Sequence, residues 1–332
     1  MTQISDPVGS EALAHKPIVK RNQTKSAQKV RLLIQLAAAA LCVWIGVEFH
    51  FFVKFVESGG HALLVERPPG VESFLPISSL MSLYYFFLSG QIHPYHPAGM
   101  FILVAILSVS LLFGKSFCSW ICPVGLVSEM VADLTKKIFG KTWLPPRWLD
   151  YPLRSLKYLL LGFFVWSIMF AMTEAALKAF LDSQYNLVSD IKMYYFFADI
   201  TAFALIVIGV LFGLSMIIRG FWCRYLCPYG ALLGILSLLS LNRIRRNEAS
   251  CVDCAKCAQV CPASIKVDKL PSVLSDECTS CLACIDSCPV ANTLELQPVL
   301  SKKHLPTRLA AAIIVGLFVS VTGLAMLTGN WQ

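Results

Sequence analysis

Charge is what this sequence has least of. Only 14% of its 332 residues are Asp, Glu, Lys or Arg, and acidic residues are the scarcer kind, 20 against 28 basic ones. Soluble domains carry about a quarter of their residues as charges, so that class is excluded. The complement is a hydrophobic fraction of 56% and a mean hydropathy of +0.65, the balance of a membrane protein. Histidine is scarce too, and none of the six lies between residues 251 and 288, which removes mixed Cys/His zinc patterns from that stretch. The formal charge of +8 does not point to nucleic acid. Lys and Arg flank apolar runs, as membrane topology requires, and form no recognition surface.

What the sequence has instead is long apolar runs. A bilayer core about 30 Å thick takes roughly 17 to 25 helical residues, and five runs qualify: 32–56, 98–114, 156–173, 199–218 and 309–328. A sixth, 74–89, is shorter and follows Pro68, Pro69 and Pro76; it is expected to be half-buried or interfacial. The first run is too long for a signal-peptide core, so it is read as retained. Bases set the orientation. The N-terminal tail (Lys16, Lys20, Arg21, Lys25, Lys29, Arg31) and the loop with Lys115, Lys136, Lys137, Lys141 and Arg147 are basic, whereas loops 57–97 and 174–190 hold only Arg67 and Lys178. The basic loops, and with them residues 251–288, are expected in the cytoplasm.

Eight of the thirteen cysteines crowd into that segment as two copies of Cys-x2-Cys-x2-Cys-x3-Cys-Pro. This is the bacterial two-cluster ferredoxin run, in which three close thiolates hold one [4Fe-4S] cluster and the fourth reaches the other. The expected ligand sets therefore cross: Cys251, Cys254, Cys257 and Cys288 for one cluster, and Cys278, Cys281, Cys284 and Cys261 for the other. Zinc, which takes two cysteine pairs or mixes in histidine, fits this pattern less well.

Four more cysteines belong to an internal repeat. Phe117-Cys118-Ser-Trp-Ile-Cys122-Pro123-Val-Gly125 matches Trp222-Cys223-Arg-Tyr-Leu-Cys227-Pro228-Tyr-Gly230 in character, 105 residues later. Each copy follows an outside-to-inside run, which suggests a duplicated two-helix unit. On a helix, cysteines four apart share one face, so four thiols are expected to converge at the cytoplasmic surface. They suit a third iron–sulfur cluster or a redox dithiol pair. Ordinary packing is the plainer alternative, and Cys42 is read that way.

With these motifs, residues 72–76 (Glu-Ser-Phe-Leu-Pro) and His96-Pro97-Ala-Gly99, the chain resembles the membrane-bound polyferredoxin family that includes the NapH and YccM types and the C-terminal half of NosR. The resemblance fits a multi-pass protein of the bacterial inner membrane, and the basic loops set the expected orientation, N-terminus and ferredoxin domain inside and C-terminus outside. It implies electron transfer between the quinone pool or a cytoplasmic donor and a redox partner, as an electron-transfer subunit of a multi-protein system rather than a stand-alone enzyme. Two alternatives stand beside it: a metal-reducing assembly factor for a metalloenzyme, and a membrane-anchored iron–sulfur regulator. Unlike NosR, the chain has no Ser/Thr-Gly-Ala-Thr flavin motif, and it has no Cys-x-x-Cys-His for haem. A quinone site needs a proton acceptor near the membrane surface; Glu48, His50, His93 and His96 are the candidates, against a plainer reading as hydrogen-bonded interfacial residues.

The expected fold is an α-helical integral membrane protein of about five transmembrane helices with an inserted α+β two-[4Fe-4S] ferredoxin-like domain. Its parts are a basic tail (1–30), a membrane domain (31–245), the ferredoxin domain (246–300) and a last helix (309–328).

Overall fold

The computed structural model describes residues 20–22, 26–59, 61, 65–140, 143, 145–301 and 303–331. Most of the expected tail, with Lys16 and Lys25, lies outside the described residues, as does Lys141. In chain order the helices are α1 (Ala27–Glu57), α2 (Pro76–Ser89), α3 (Pro97–Phe113), α4 (Ser116–Trp120), α5 (Pro123–Phe139), α6 (Arg147–Met169) and α7 (Glu174–Leu181). There follow α8 (Gln184–Leu187), α9 (Ser189–Ala198), α10 (Ala202–Ile217), α11 (Pro228–Leu238), α12 (Lys256–Gln259), α13 (Ala283–Ser287) and α14 (Thr307–Leu327). Strands β1 (Asn242–Arg246) and β2 (Leu294–Pro298) form one antiparallel pair.

Among the described residues, α1 and α14 are each long and apolar enough to cross a bilayer alone, and there are up to four such spans if each bent helix pair counts as one. The bends are sharp, 103° between α6 and α7 and 81° between α9 and α10. Both occur where a threonine starts a new helix. Thr173 accepts from the Ala176 N–H and Thr201 from the Ala204 N–H, the side-chain capping that satisfies an orphan donor. The helices at the third and fourth apolar runs therefore begin or end short of those runs.

Helix α3 is the centre of the bundle. Eleven of its seventeen residues are buried, because α2, α11 and α14 pack round it. By contrast α10 buries only Ala204, the pattern of a helix facing lipid. The run at 74–89 forms α2, which buries Met81 and Tyr85 and leaves Phe87 exposed.

The N-terminal end of α3 is fixed by a buried polar network. His96, in left-handed conformation (φ 58°), is the residue before the helix. Its Nε2 donates to the Asn186 carbonyl (2.8 Å), which leaves Nδ1 of the neutral ring to accept from Arg67 (2.7 Å). Glu72, 1% exposed, accepts from the Gly99 N–H (2.6 Å) and pairs with Arg67 (3.3 Å), which also binds Asp190 (2.7 Å). Removing one partner of a buried pair costs about 3–5 kcal/mol. Glu72→Ala is therefore expected to lower the thermal midpoint in detergent by that equivalent. A midpoint equal to native would show that the network contributes nothing.

The ferredoxin region is closed by the strand pair that flanks it, with Ile244 opposite Leu296 and both buried. It is also tied to α1, whose first turn has no cap of its own. The Asp286 carboxylate accepts from the Gln28 N–H (2.9 Å), placing an anion at the positive end of the helix.

Candidate iron–sulfur relay

The two ferredoxin loops share one backbone device. The residues on either side of the second cysteine are left-handed: Asp253 (φ 52°) and Ala255 (φ 55°) about Cys254, Ser280 (φ 48°) and Leu282 (φ 58°) about Cys281. Such conformations cost about 1–3 kcal/mol each. They curl the loop so that the N–H groups of Ser280 and Ala283 point at the sulfurs of Cys278 and Cys281. Helices α12 and α13 then present Cys257 and Cys284.

The sulfurs sort across the loops. Cys251, Cys254, Cys257 and Cys288 line one small cavity. Cys278, Cys281 and Cys284 are electrostatic neighbours of one another and of Cys261. Cys254 is the exposed one among these eight cysteines, whereas Cys257, Cys281, Cys284 and Cys288 are buried. Burial pushes the Cys278 thiol up to about 12 and Cys284 well above the usual thiol range; such groups ionise readily only when a metal supplies positive charge. Among the described residues no three His, Cys, Asp or Glu close tightly enough to hold a lone ion. Four thiols in each set, with backbone N–H groups aimed at the sulfurs of Cys278 and Cys281, are a donor set that suits an iron–sulfur cluster.

The four cysteines of the repeat also meet. Cys118 has Cys122, Cys223 and Cys227 as electrostatic neighbours, and burial pushes it upward. They do not converge by sharing helix faces, as spacing alone suggested. Cys118 sits in α4, but Cys122 is extended (ψ 122°) at the start of α5. In the second copy Cys223 lies in a π-helical turn, Trp222–Leu226, and Cys227 is extended (ψ 107°) before α11. The cause is the following proline, which disfavours helical conformation in the residue before it. Cys42, read as packing, proves to be an electrostatic neighbour of Cys122.

The repeated glycines are the second requirement. A Cβ at Gly125 would lie 2.0 Å from the Cys118 carbonyl oxygen, and one at Gly230 would lie 3.3 Å from that of Cys223. The same close approach closes both thiol turns, and its signal was the glycine three residues after Cys122 and after Cys227.

Backbone carbonyls join this centre to the ferredoxin loops. Ser119 donates to the Thr279 carbonyl (2.6 Å), Trp120 Nε1 to that of Ser280 (3.1 Å) and Arg224 to that of Ala263 (3.4 Å). Beneath them lies a buried ionic joint, of which only Lys115 stood out in the sequence, as one base of a basic loop. Glu277 meets Lys115 (3.8 Å), Arg154 (3.1 Å) and Lys157. Burial alone would raise its carboxyl, but these cations hold it down at about 2. Arg224 binds Asp150 (2.9 Å) and Tyr158 donates to Asp276 (2.5 Å). Glu277 directly before Cys278 was the available signal.

A cavity of about 1350 Å³, overwhelmingly apolar, runs between α1, α3, α6 and α14. The four cysteines of the repeat and Cys42 are in its lining, and so are Glu48, Pro68, Pro69, Gly70, Ser73 and Phe74. Glu48 makes no side-chain hydrogen bond or ion pair among the described residues. His50, His93 and His96 are not in its lining: His50 bonds Tyr194 (2.6 Å), His93 bonds Asp182 (3.1 Å), and His96 belongs to the buried network. The structure thus separates Glu48 from the three histidines.

The glycine requirement is directly testable. Gly125→Ala should cost about 1–3 kcal/mol through overpacking, seen as a lower thermal midpoint. Gly162→Ala, with open space round its Cβ, should be neutral or stabilise by up to about 1 kcal/mol. Equal behaviour of the two variants would refute the close-approach account.

A 4Fe-4S binding domain family matches residues 95–142 and again 200–247, segments that begin 105 residues apart and each hold one Cys-x3-Cys-Pro motif. A 4Fe-4S dicluster domain family matches 243–289. The chain is 45% identical to YccM of Escherichia coli K12, a protein named for electron transport, over 94% of this chain and 88% of the relative. It is 32% identical to the regulatory protein NosR of Pseudomonas aeruginosa over 41% of this chain and 18% of that protein. It is 30% identical to the methylamine utilization ferredoxin-type protein MauN of Methylorubrum extorquens over 42% and 46%. No solved structure matches. With twelve cysteines gathered into three groups beside apolar helices, the chain belongs to the family of 4Fe-4S ferredoxin-type membrane electron-transport proteins that includes YccM.

Proposed function

We propose that the chain relays electrons through three iron–sulfur clusters, between a quinone in the membrane and a redox partner at the cytoplasmic surface, as one component of a multi-protein system. The observation that carries the reading is the single file of thiol groups, from exposed Cys254 to the apolar cavity. In this reading Cys251, Cys254, Cys257 and Cys288 hold the outer [4Fe-4S] cluster, Cys278, Cys281, Cys284 and Cys261 the inner one, and Cys118, Cys122, Cys223 and Cys227 a third. When bound, clusters of this kind supply one-electron storage. The protein's part is to fix their spacing and exclude water.

The membrane reading assigns five spans to α1, α3, α6 with α7, α10 and α14, the second and fourth belonging to a duplicated two-helix unit. At seventeen residues α3 is about 26 Å long, which supports a crossing because its neighbours bury it rather than lipid. The basic residues after the second and fourth spans favour a cytoplasmic ferredoxin domain, with the C-terminus outside.

The cavity supports a lipid-soluble partner. Glu48 lies six residues beyond Cys42, about 9 Å along α1, and it lines the same cavity as the thiol centre, where a quinone ring is proposed to bind. Oxidation of a quinol breaks two O–H bonds, releases two electrons singly to the relay and requires a base for its protons. The Glu48 carboxylate, with no hydrogen bond or ion pair among the described residues, can accept these one at a time and pass each on to water. Glu48→Gln is expected to slow quinol-driven cluster reduction by about 10²-fold, with iron content unchanged. A native rate would remove Glu48 from the mechanism.

Iron and acid-labile sulfide per chain test the cluster count. Anaerobically purified protein should hold about twelve irons, and a variant with Cys118, Cys122, Cys223 and Cys227 changed to Ser about eight. If both hold about eight, the membrane thiols ligate no cluster and the relay ends at the ferredoxin module.

A further inference from the structure

The ionic joint is not charge-balanced. Lys115, Lys157, Arg154 and Arg224 face three carboxylates, Glu277, Asp276 and Asp150. Arg219 adds another cation to the cavity lining, while the nearby carboxylate of Glu129 is already matched by Arg31 (2.7 Å). Lys115 is 3% exposed and Lys157 fully buried. A buried cation with only a share of one carboxylate is unfavourable unless another anion stands nearby.

We infer that the missing anion is the four-thiol centre and that Lys115 is its counter-cation, raising its reduction potential. The inference rests on the reading that those thiols hold an iron–sulfur cluster. Lys115 stands in the same turn as Cys118, whose N–H donates to the Lys115 carbonyl (3.1 Å). Lys115 lines the cavity together with all four cysteines and acts electrostatically on Cys118 and Cys223. Four thiolates on a doubly positive core leave two negative charges, and reduction adds a third. A fixed cation stabilises the reduced form more than the oxidised one.

Lys115 sits at the membrane thiols, whereas its partner Glu277, shared with Arg154 and Lys157, directly precedes Cys278 of the inner group. Lys115 therefore raises the potential of the membrane centre: the one electron that reduces it is held more tightly, no bond changes and no proton is taken up.

The test is a potentiometric titration of the full chain in detergent, followed by EPR and paired with iron analysis. Lys115→Gln should retain about twelve irons and make reduction of the membrane centre about tenfold less favourable, a fall of about 59 mV for one electron. Lys115→Arg, which keeps the charge, should titrate as native. An unshifted Lys115→Gln centre would overturn the inference, and so would loss of the third cluster from both variants, since shape rather than charge would then be at issue. If native protein and the four-serine variant both hold about eight irons, the three-cluster reading itself has failed and the inference falls with it.

Discussion

Four thiolates can share one cluster only if the backbone gives up regular structure where they sit, and hydrocarbon does not tolerate irregular backbone. An unpaired backbone group in lipid costs several kcal/mol. The chain meets both conditions by placing its irregular turns where protein roofs them. The broken turns at Cys122 and Cys227 lie under the ferredoxin loops, and the loop carbonyls of Thr279, Ser280 and Ala263 accept from Ser119, Trp120 and Arg224. Each half of the protein satisfies groups that the other leaves open. The ferredoxin region is therefore not a module hung from the membrane by a linker; its loops complete the membrane domain.

Electrostatics add register to this contact. Burying Glu277 among Lys115, Arg154 and Lys157 is a poor way to gain stability, since the cost of desolvating ions rivals their attraction. Its use is positional. A slip of one residue at the joint would strand a cation without its carboxylate, at a cost of several kcal/mol. The Asp286 carboxylate at the start of α1 acts in the same sense at the other edge. The ferredoxin region is held at two charged points that only one docking satisfies.

The sequence was most legible where chemistry fixes spacing. The two ferredoxin runs and the Cys-x3-Cys-Pro repeat could be read directly, because ligand geometry leaves few alternatives. Helix boundaries were less legible. Hydropathy extends the third run through Thr173 and starts the fourth at Asp199, but Thr173 and Thr201 cap new helices, and a capping hydroxyl hardly alters a hydropathy average. The route by which Cys118 meets Cys122 was misread for a related reason: a period of four describes only an unbroken helix, and Pro123 breaks it. The ionic joint was half hidden, since Glu277, Lys157 and Asp150 come from distant segments and no local pattern announces their meeting. Glu48 and the three histidines looked alike in sequence because side-chain chemistry does not reveal whether a group already has a partner.

The two ends of the thiol file differ in the phase they face. Cys254 is exposed beside Asp253 and Lys256, both themselves exposed, a setting that favours contact with a water-soluble protein. The other end opens into an apolar cavity about 1350 Å³ in volume, which admits lipid-soluble molecules and disfavours charged ones. On the proposed reading, selectivity then arises without a recognition motif for either partner. Water keeps the quinone from one end and hydrocarbon keeps the soluble carrier from the other, so the only path joining them is the file of clusters the cysteines hold.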